Sequence, residues 1–263
     1  MQLGLTGKAA IVTGGSRGIG LATARALAGE GCAVAICGRD QTRLDEAIGS
    51  LRASGARVLG QVADMTSASA VTGFVEAATR EFGQIDILVN NAGTHLRGTV
   101  DTTTLAILDQ QLSSKVHGVF LAMSALLPGM RKRRDGRIVN IIGQAGRHPH
   151  PDRFPSGVTN GALLAMTKSV ADAVARDNVR VNSVCPQYIE TDLLASLINK
   201  EMRERGVDRA TASAGFTRAT ALGRVGQPEE VADLVMFLVS DRAKFVCGTS
   251  VSIDGGYHRY VFG

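Results

Sequence analysis

The segment Thr13-Gly14-Gly15-Ser16-Arg17-Gly18-Ile19-Gly20 joins a short apolar run, Ala9–Thr13, to an amphipathic one, Gly18–Ala28. Glycines at this spacing permit a tight turn and close approach of backbone to a ligand. The helix N-terminus that follows aims free N–H groups and a positive dipole end at a phosphate. The spacing predicts a dinucleotide pyrophosphate site on Gly14, Ser16, Arg17, Gly18, Ile19 and Gly20. The second apolar run ends in Gly38 and Arg39. NAD sites place an acid there for the ribose hydroxyls. Arg39 and Arg17 instead suit a ribose 2′-phosphate, because the guanidinium fork matches phosphate. NADP is therefore expected, with NAD as the alternative. Asp40 is the counter-evidence unless it faces solvent. Asp64, just past the third run, is placed to accept a hydrogen bond from adenine.

The elements that must position these residues follow from the apolar pattern. Candidate strands are Ala9–Thr13, Ala33–Cys37, Val58–Val62, Ile85–Val89, Arg137–Ile142, Arg180–Val184 and Ser250–Ile253. Between them lie helix-like stretches at Gly18–Ala28, Gln41–Ser54, Ser67–Phe82, a pair across Leu105–Met130, Ser156–Arg176 and Pro228–Leu238. Strands alternating with helices predict a parallel sheet covered on both faces. Near-continuous apolar strands fit burial on both sides. The fold class expected is α/β, a Rossmann-like, doubly wound parallel sheet of about seven strands. With no repeat or linker, residues 1–263 read as a single dinucleotide-binding domain. The polar, helix-prone stretch at about residues 190–223 breaks the rhythm and reads as a mobile flap.

Composition narrows the function classes. The chain has 263 residues, 44% apolar and 20% charged, which excludes a disordered chain. No apolar run is long enough to span a bilayer. MQLGLTGK shows no export signal, so a cytoplasmic protein is expected. Cys32, Cys37, Cys185 and Cys247 form no CxxC pair and read as buried free thiols. The net charge of +5 is scattered, and the run Arg131-Lys132-Arg133-Arg134 reads as a solvated loop, not a nucleic-acid patch. Aromatics are 4% and Trp is absent, which argues against base-stacking platforms.

Several further motifs resemble those of the short-chain dehydrogenase/reductase family over nearly the whole chain. They are TGGSRGIG at Thr13–Gly20, Asp64, Asn90-Asn91-Ala92-Gly93, GRIVNI at Gly136–Ile141, Arg180-Val181-Asn182-Ser183-Val184-Cys185-Pro186, Glu190-Thr191-Asp192 and Ile253-Asp254-Gly255-Gly256. The resemblance implies a nicotinamide cofactor, hydride transfer between carbonyl and alcohol, and a homodimer or homotetramer. It also adds Met65, Asn91, Gly93, Ile189 and Thr191 to the cofactor-binding residues. The family's chemistry uses a Tyr as proton donor, a Lys one turn later, a Ser that orients the carbonyl and an Asn that anchors a water relay. A gapless match from Asn91 to Lys168 puts other residues at all four positions: Lys115 for Asn, Gly143 for Ser, Ser156 for Tyr and Asn160 for Lys. No Tyr precedes Tyr188.

Lys115 and Asn160 look exchanged, which would keep one ammonium and one amide beside the nicotinamide ribose. Ser156 holds its proton too tightly to replace a phenol. Tyr188, in the loop beside the nicotinamide, His95, and His148 and His150 are further candidates for the pocket, and Lys115 itself is a candidate proton donor or nucleophile. His148-Pro149-His150-Pro151 lacks a third ligand, so no metal is expected. Gly143 and Gly157 enlarge the expected cavity. Three functions remain open: an NADP-dependent oxidoreductase with a rearranged acid site, for which ordinary Tyr–Lys catalysis is unsupported; a silent NADP-binding sensor or partner subunit in a mixed oligomer with an active relative; and a non-redox lyase or hydratase. The substrate is a small molecule that these residues do not identify; no nucleic acid or membrane partner is expected. The aromatic tail Tyr257–Gly263 is expected to dock on a neighbouring subunit.

Overall fold

The computed structural model describes residues 2–258. Seven strands form one sheet: β1 (Ala9–Val12), β2 (Ala33–Gly38), β3 (Val58–Val62), β4 (Ile87–Asn90), β5 (Gly136–Ile141), β6 (Val179–Pro186) and β7 (Ser250–Ile253). Their order is β3-β2-β1-β4-β5-β6-β7, with every pair parallel. The winding reverses between β1 and β4, so a crevice opens at their carboxyl ends, the usual place for a ligand in an open α/β sheet.

Alternate strand residues feed two cores. Ile11, Ala35, Leu88 and Val181 pack on one face against α3 (Ala68–Phe82), α5 (Gly118–Arg133) and α6 (Phe154–Val174). Ala10, Val34, Val89 and Val184 pack on the other against α1 (Gly18–Gly29), α2 (Gln41–Ala53) and α9 (Pro228–Val239). This division explains why the strands read as apolar throughout. Local caps mark the helix starts. Asp40 accepts from Arg43 N at 3.1 Å to cap α2, and Ser67 accepts from Ala70 N at 3.3 Å to cap α3.

The expected helix pair across Leu105–Met130 is instead one uninterrupted helical stretch. The short α4 (Leu105–Gln111) runs into a π-helical turn at Leu112–His117 and on into α5. No Gly or Pro lies between Leu105 and His117 to end the helix, so the extra residue is absorbed as a π turn. The region of the expected flap holds two helices, α7 (Asp192–Arg205) and α8 (Arg209–Arg218), which share a small core of Leu194, Ile198 and Ala212.

Two smaller expectations are corrected. Cys32, Cys37 and Cys185 are buried, but Cys247 is exposed. Arg131–Arg133 form the last turn of α5, not a loop. There their charge complements the helix dipole, and Arg131 pairs with Asp177 at 2.6 Å. Tyr257 and His258 pack on their own chain: Tyr257 lies edge-on to Tyr188, ring centroids 5.3 Å apart, and His258 stacks on His148 at 3.5 Å. The rest of the tail, 259–263, lies outside the described residues. Among the described residues, no helix is long and apolar enough to cross a membrane.

Candidate functional site

The crevice opens into a cavity of about 750 Å³ that runs from the glycine turn to α6 and α7. At one end, Gly14 adopts φ +64°, and a Cβ on Gly20 would stand 2.2 Å from Gly14 O. Both positions therefore require glycine. Asn91 Nδ2 donates to Thr13 O and Gly14 O, each at 3.1 Å, and Thr13 Oγ1 accepts from Asn91 N and Ala92 N. These bonds brace the turn from the neighbouring strand. The first turn of α1 has no side-chain cap, which leaves N–H groups facing the cavity. Gly20→Ala is expected to lower the melting temperature and weaken dinucleotide binding at least tenfold, read by thermal melts and cofactor fluorescence titration.

Arg17, Arg39, Asp64, Met65, Ile189 and Thr191 all line this cavity. Asp40 is committed to capping α2, which disposes of the objection it raised beside Arg39. Arg39 is exposed and has no carboxylate partner among the described residues. Arg17 donates to Asp192 Oδ2 at 2.7 Å, and Arg43 donates to the same oxygen at 2.8 Å. The two guanidinium groups hold the Asp192 carboxyl below its usual range. All three side chains are exposed, so the cluster adds little stability; it ties the start of α7 to the glycine turn. Asp64 Oδ1 accepts from Thr66 N at 2.9 Å.

The other end carries the residues that the sequence singles out for chemistry. Lys115 sits on the π turn, and its stem crosses Gly93, where a Cβ would lie 3.1 Å from Lys115 Cγ. Its Nζ donates to Asn160 Oδ1 at 2.9 Å. Burial pushes its pKa down from 10.5 to about 8. A Cβ on Gly143 would lie 2.9 Å from Asn160 Nδ2, so the missing side chain makes room for the amide. Lys115, Asn160 and Gly143 thus converge on one wall.

Ser156 is fully buried and does not line the cavity. Its Oγ donates to Leu96 O at 2.9 Å and lies 3.2 Å from His95 Nδ1. A serine has one hydroxyl proton, and Leu96 O takes it. His95 Nδ1 must then be the donor, which leaves Nε2 as an acceptor. Burial, with help from Lys115, Arg153 and Arg97, lowers the His95 pKa to about 4, so the ring is neutral at physiological pH. Ser156→Ala strands this donor and is expected to cost about 1–2 kcal/mol in denaturant unfolding.

Tyr188 lines the cavity in a left-handed conformation, φ +47°. Its hydroxyl accepts from Arg153 Nη2 at 2.9 Å. His148, His150 and Gly157 do not line the cavity, contrary to expectation. His148 is held against His258, His150 faces solvent beside Asp152, and Gly157 faces Ala145 O. Sequence reasoning missed Arg153, Gln144 and Gln187. Arg153 precedes the helix, so no helical spacing marks it. Buried Gln144 Oε1 and Gln187 Nε2 have no partner, an orphaned acceptor and donor in the cavity wall. The uncapped helix, the glycine cradle and these orphans fit a bound dinucleotide with a small molecule beside it.

Comparison with known proteins agrees with this geometry. Residues 14–258 match the family described as enoyl-(acyl carrier protein) reductase. Gluconate 5-dehydrogenase of Gluconobacter oxydans is 35% identical over 252 residues, 96% of this chain and 95% of that one. The 3-oxoacyl-(acyl-carrier-protein) reductase of Thermotoga maritima is 32% identical over 252 residues, 96% of this chain and 98% of that one. The crystal structure of L-sorbose reductase from Gluconobacter frateurii, complexed with NADPH and L-sorbose, superposes with a TM-score of 0.95 at 32% identity, covering 99% of this chain and all of that one. The braced glycine turn, the strand order and these full-length matches agree: the chain belongs to the short-chain dehydrogenase/reductase family.

Proposed function

We propose that the chain is an NADP-dependent oxidoreductase that interconverts a carbonyl and an alcohol, with Lys115 in place of the family's tyrosine acid. The observation that carries this reading is the Lys115 ammonium, hydrogen-bonded to Asn160 on the cavity wall with its pKa lowered to about 8. A general acid works best with a pKa near the operating pH. Neither Ser156, turned away from the cavity, nor neutral His95 meets that condition.

NADPH supplies the hydride when bound. The turn Gly14–Gly20 and the start of α1 hold the pyrophosphate; Arg39, with Arg17, holds the 2′-phosphate; Asp64 accepts from adenine. Asn160 aims Lys115, and Nζ gives its proton to the substrate oxygen as negative charge develops there. In the alcohol-to-carbonyl direction, neutral Lys115 takes that proton back. The α7–α8 segment closes over the substrate as a flap. Similar chains are named gluconate 5-dehydrogenase, 3-oxoacyl-(acyl-carrier-protein) reductase and L-sorbose reductase, and a small polar oxo or hydroxy compound is proposed here. The chain assembles as a homodimer or homotetramer through α5 and α6, where Phe120 and Val158 stand exposed.

The test is to titrate the protein with NADPH by fluorescence, then follow NADPH oxidation across a panel of oxo acids, ketoses and simple ketones. Binding with turnover of at least one class supports the reading. Binding without turnover across the panel leaves a silent NADP-binding protein. Absence of binding overturns both.

A further inference from the structure

We infer that the substrate carries a carboxylate or similar anionic group, and that Arg153 is the residue that selects it. This rests on the reading of the Lys115 end of the cavity as the substrate end, and it adds the charge of the molecule that enters. Two acids line the cavity among the described residues, Asp64 and Asp192. Both belong to the nucleotide end: Asp192 is bound to Arg17, and Asp64 follows β3. The Lys115 end holds three cations, Arg97, Lys115 and Arg153, and no carboxylate.

Arg153 is placed for recognition. It sits just before the start of α6, half-buried, and lines the same cavity as Lys115 and Asn160. Its Nη2 donates to the Tyr188 hydroxyl at 2.9 Å, and its guanidinium carbon lies 5.8 Å from the Tyr188 ring centroid. The Tyr188 ring is itself wedged edge-on between Phe216 and Tyr257. Its hydrogen-bonding neighbours, the Tyr188 and Tyr257 hydroxyls, are both neutral and do not occupy all five guanidinium N–H groups, and no carboxylate pairs with Arg153 among the described residues. A partly desolvated, oriented guanidinium without a counter-ion is an arrangement that a carboxylate completes in bidentate fashion. Tyr188 keeps its left-handed backbone in this arrangement, the kind of strain found at ligand clamps. Buried Gln187 Nε2, one residue away and also lining the cavity, is a donor with no partner. With Lys115 lining the same end of the cavity, the expected substrate is a small oxo acid or its hydroxy acid, the carbonyl toward Lys115 and the carboxylate toward Arg153.

The experiment uses binding as well as turnover. On the protein–NADP⁺ complex, calorimetry compares short hydroxy acids with their neutral amides and with phosphorylated alcohols of the same length. The acids are expected to bind about 10- to 100-fold tighter than the amides. Arg153→Met is expected to bring that ratio near one, and Arg153→Lys to restore part of it, with melting temperature recording whether each variant folds. Phosphorylated alcohols that outbind the acids would keep the charge and change the group. Amides that match the acids, or a ratio unmoved in a folded Arg153→Met protein, would overturn the inference. Charge preference in binding without NADPH oxidation would sink the reductase reading alone; turnover without charge preference would sink this one alone.

Discussion

Lys115→Met is expected to lower kcat for carbonyl reduction by about 10²- to 10⁴-fold and, in the same protein, to raise stability. The two effects share one cause. Burial brings the Lys115 pKa from 10.5 to about 8, so the side chain holds its proton at neutral pH but releases it far more readily than an exposed lysine. With Lys115 as the acid, reduction needs the protonated form, so kcat is expected to fall as pH rises through about 8. No limb appears near 6.5, because His95 stays neutral until about pH 4. The sign for stability runs the other way. Between about pH 8 and 10.5 the unfolded chain binds a proton that the folded chain does not, so stability rises with pH across that window. Below it, the folded protein carries a poorly solvated ammonium at a cost of up to about 3 kcal/mol. Methionine removes that cost but strands Asn160 Oδ1, which leaves a net gain on the order of 1–2 kcal/mol. Lys115→Arg separates charge from proton transfer, since a guanidinium does not release its proton near pH 8. A Lys115→Arg protein with wild-type kcat, or a Lys115→Met protein that is both active and less stable, would remove Lys115 from the chemistry. A trade of stability for function at one residue is the usual signature of a working site.

The sheet was legible because its information is local. Each strand is a short apolar run bounded by turn residues, and the division of alternate residues between two cores adds nothing that contradicts that pattern. The glycine turn was legible for the same reason: its conformational demand is written in consecutive residues. The chemistry end was only half legible. Lys115 and Asn160 are 45 residues apart, and their hydrogen bond was anticipated from their reciprocal positions in the family motif. No local rule places His95 against Ser156, 61 residues away, or Arg17 against Asp192, 175 residues away. Such contacts depend on how crossover connections bring loops together at the carboxyl edge of the sheet. The π turn that carries Lys115 is not legible in the sequence, because helix periodicity does not register one extra residue. The two histidines beyond Gly146 are candidates by residue type alone, and packing sends them elsewhere.

Arg39→Asp is expected to reverse cofactor preference. Three arginines stand near the carboxyl end of β2 and the glycine turn, but they are not equivalent. Arg17 and Arg43 share Asp192 as counter-ion, whereas Arg39 has no carboxylate partner among the described residues. A ribose 2′-phosphate therefore meets Arg39 without competition, and meets Arg17 only by displacing Asp192. Losing one charge-assisted contact and gaining a like charge should raise the NADPH dissociation constant about 100-fold. The new carboxylate can accept from ribose hydroxyls, so NADH binding should tighten. Arg17→Ala should weaken NADPH less, by only a few-fold, because part of that side chain's binding capacity is already spent on Asp192. Asp192→Ala tests the competition directly: freeing Arg17 should tighten NADPH and leave NADH unchanged. Asp40 remains the cap of α2 in every variant, so secondary structure is unaffected and cofactor fluorescence reads recognition alone. If Arg39→Asp bound NADPH as tightly as the parent, the phosphate would have to be held by Arg17 or Arg43, and Asp192 would then be its gate.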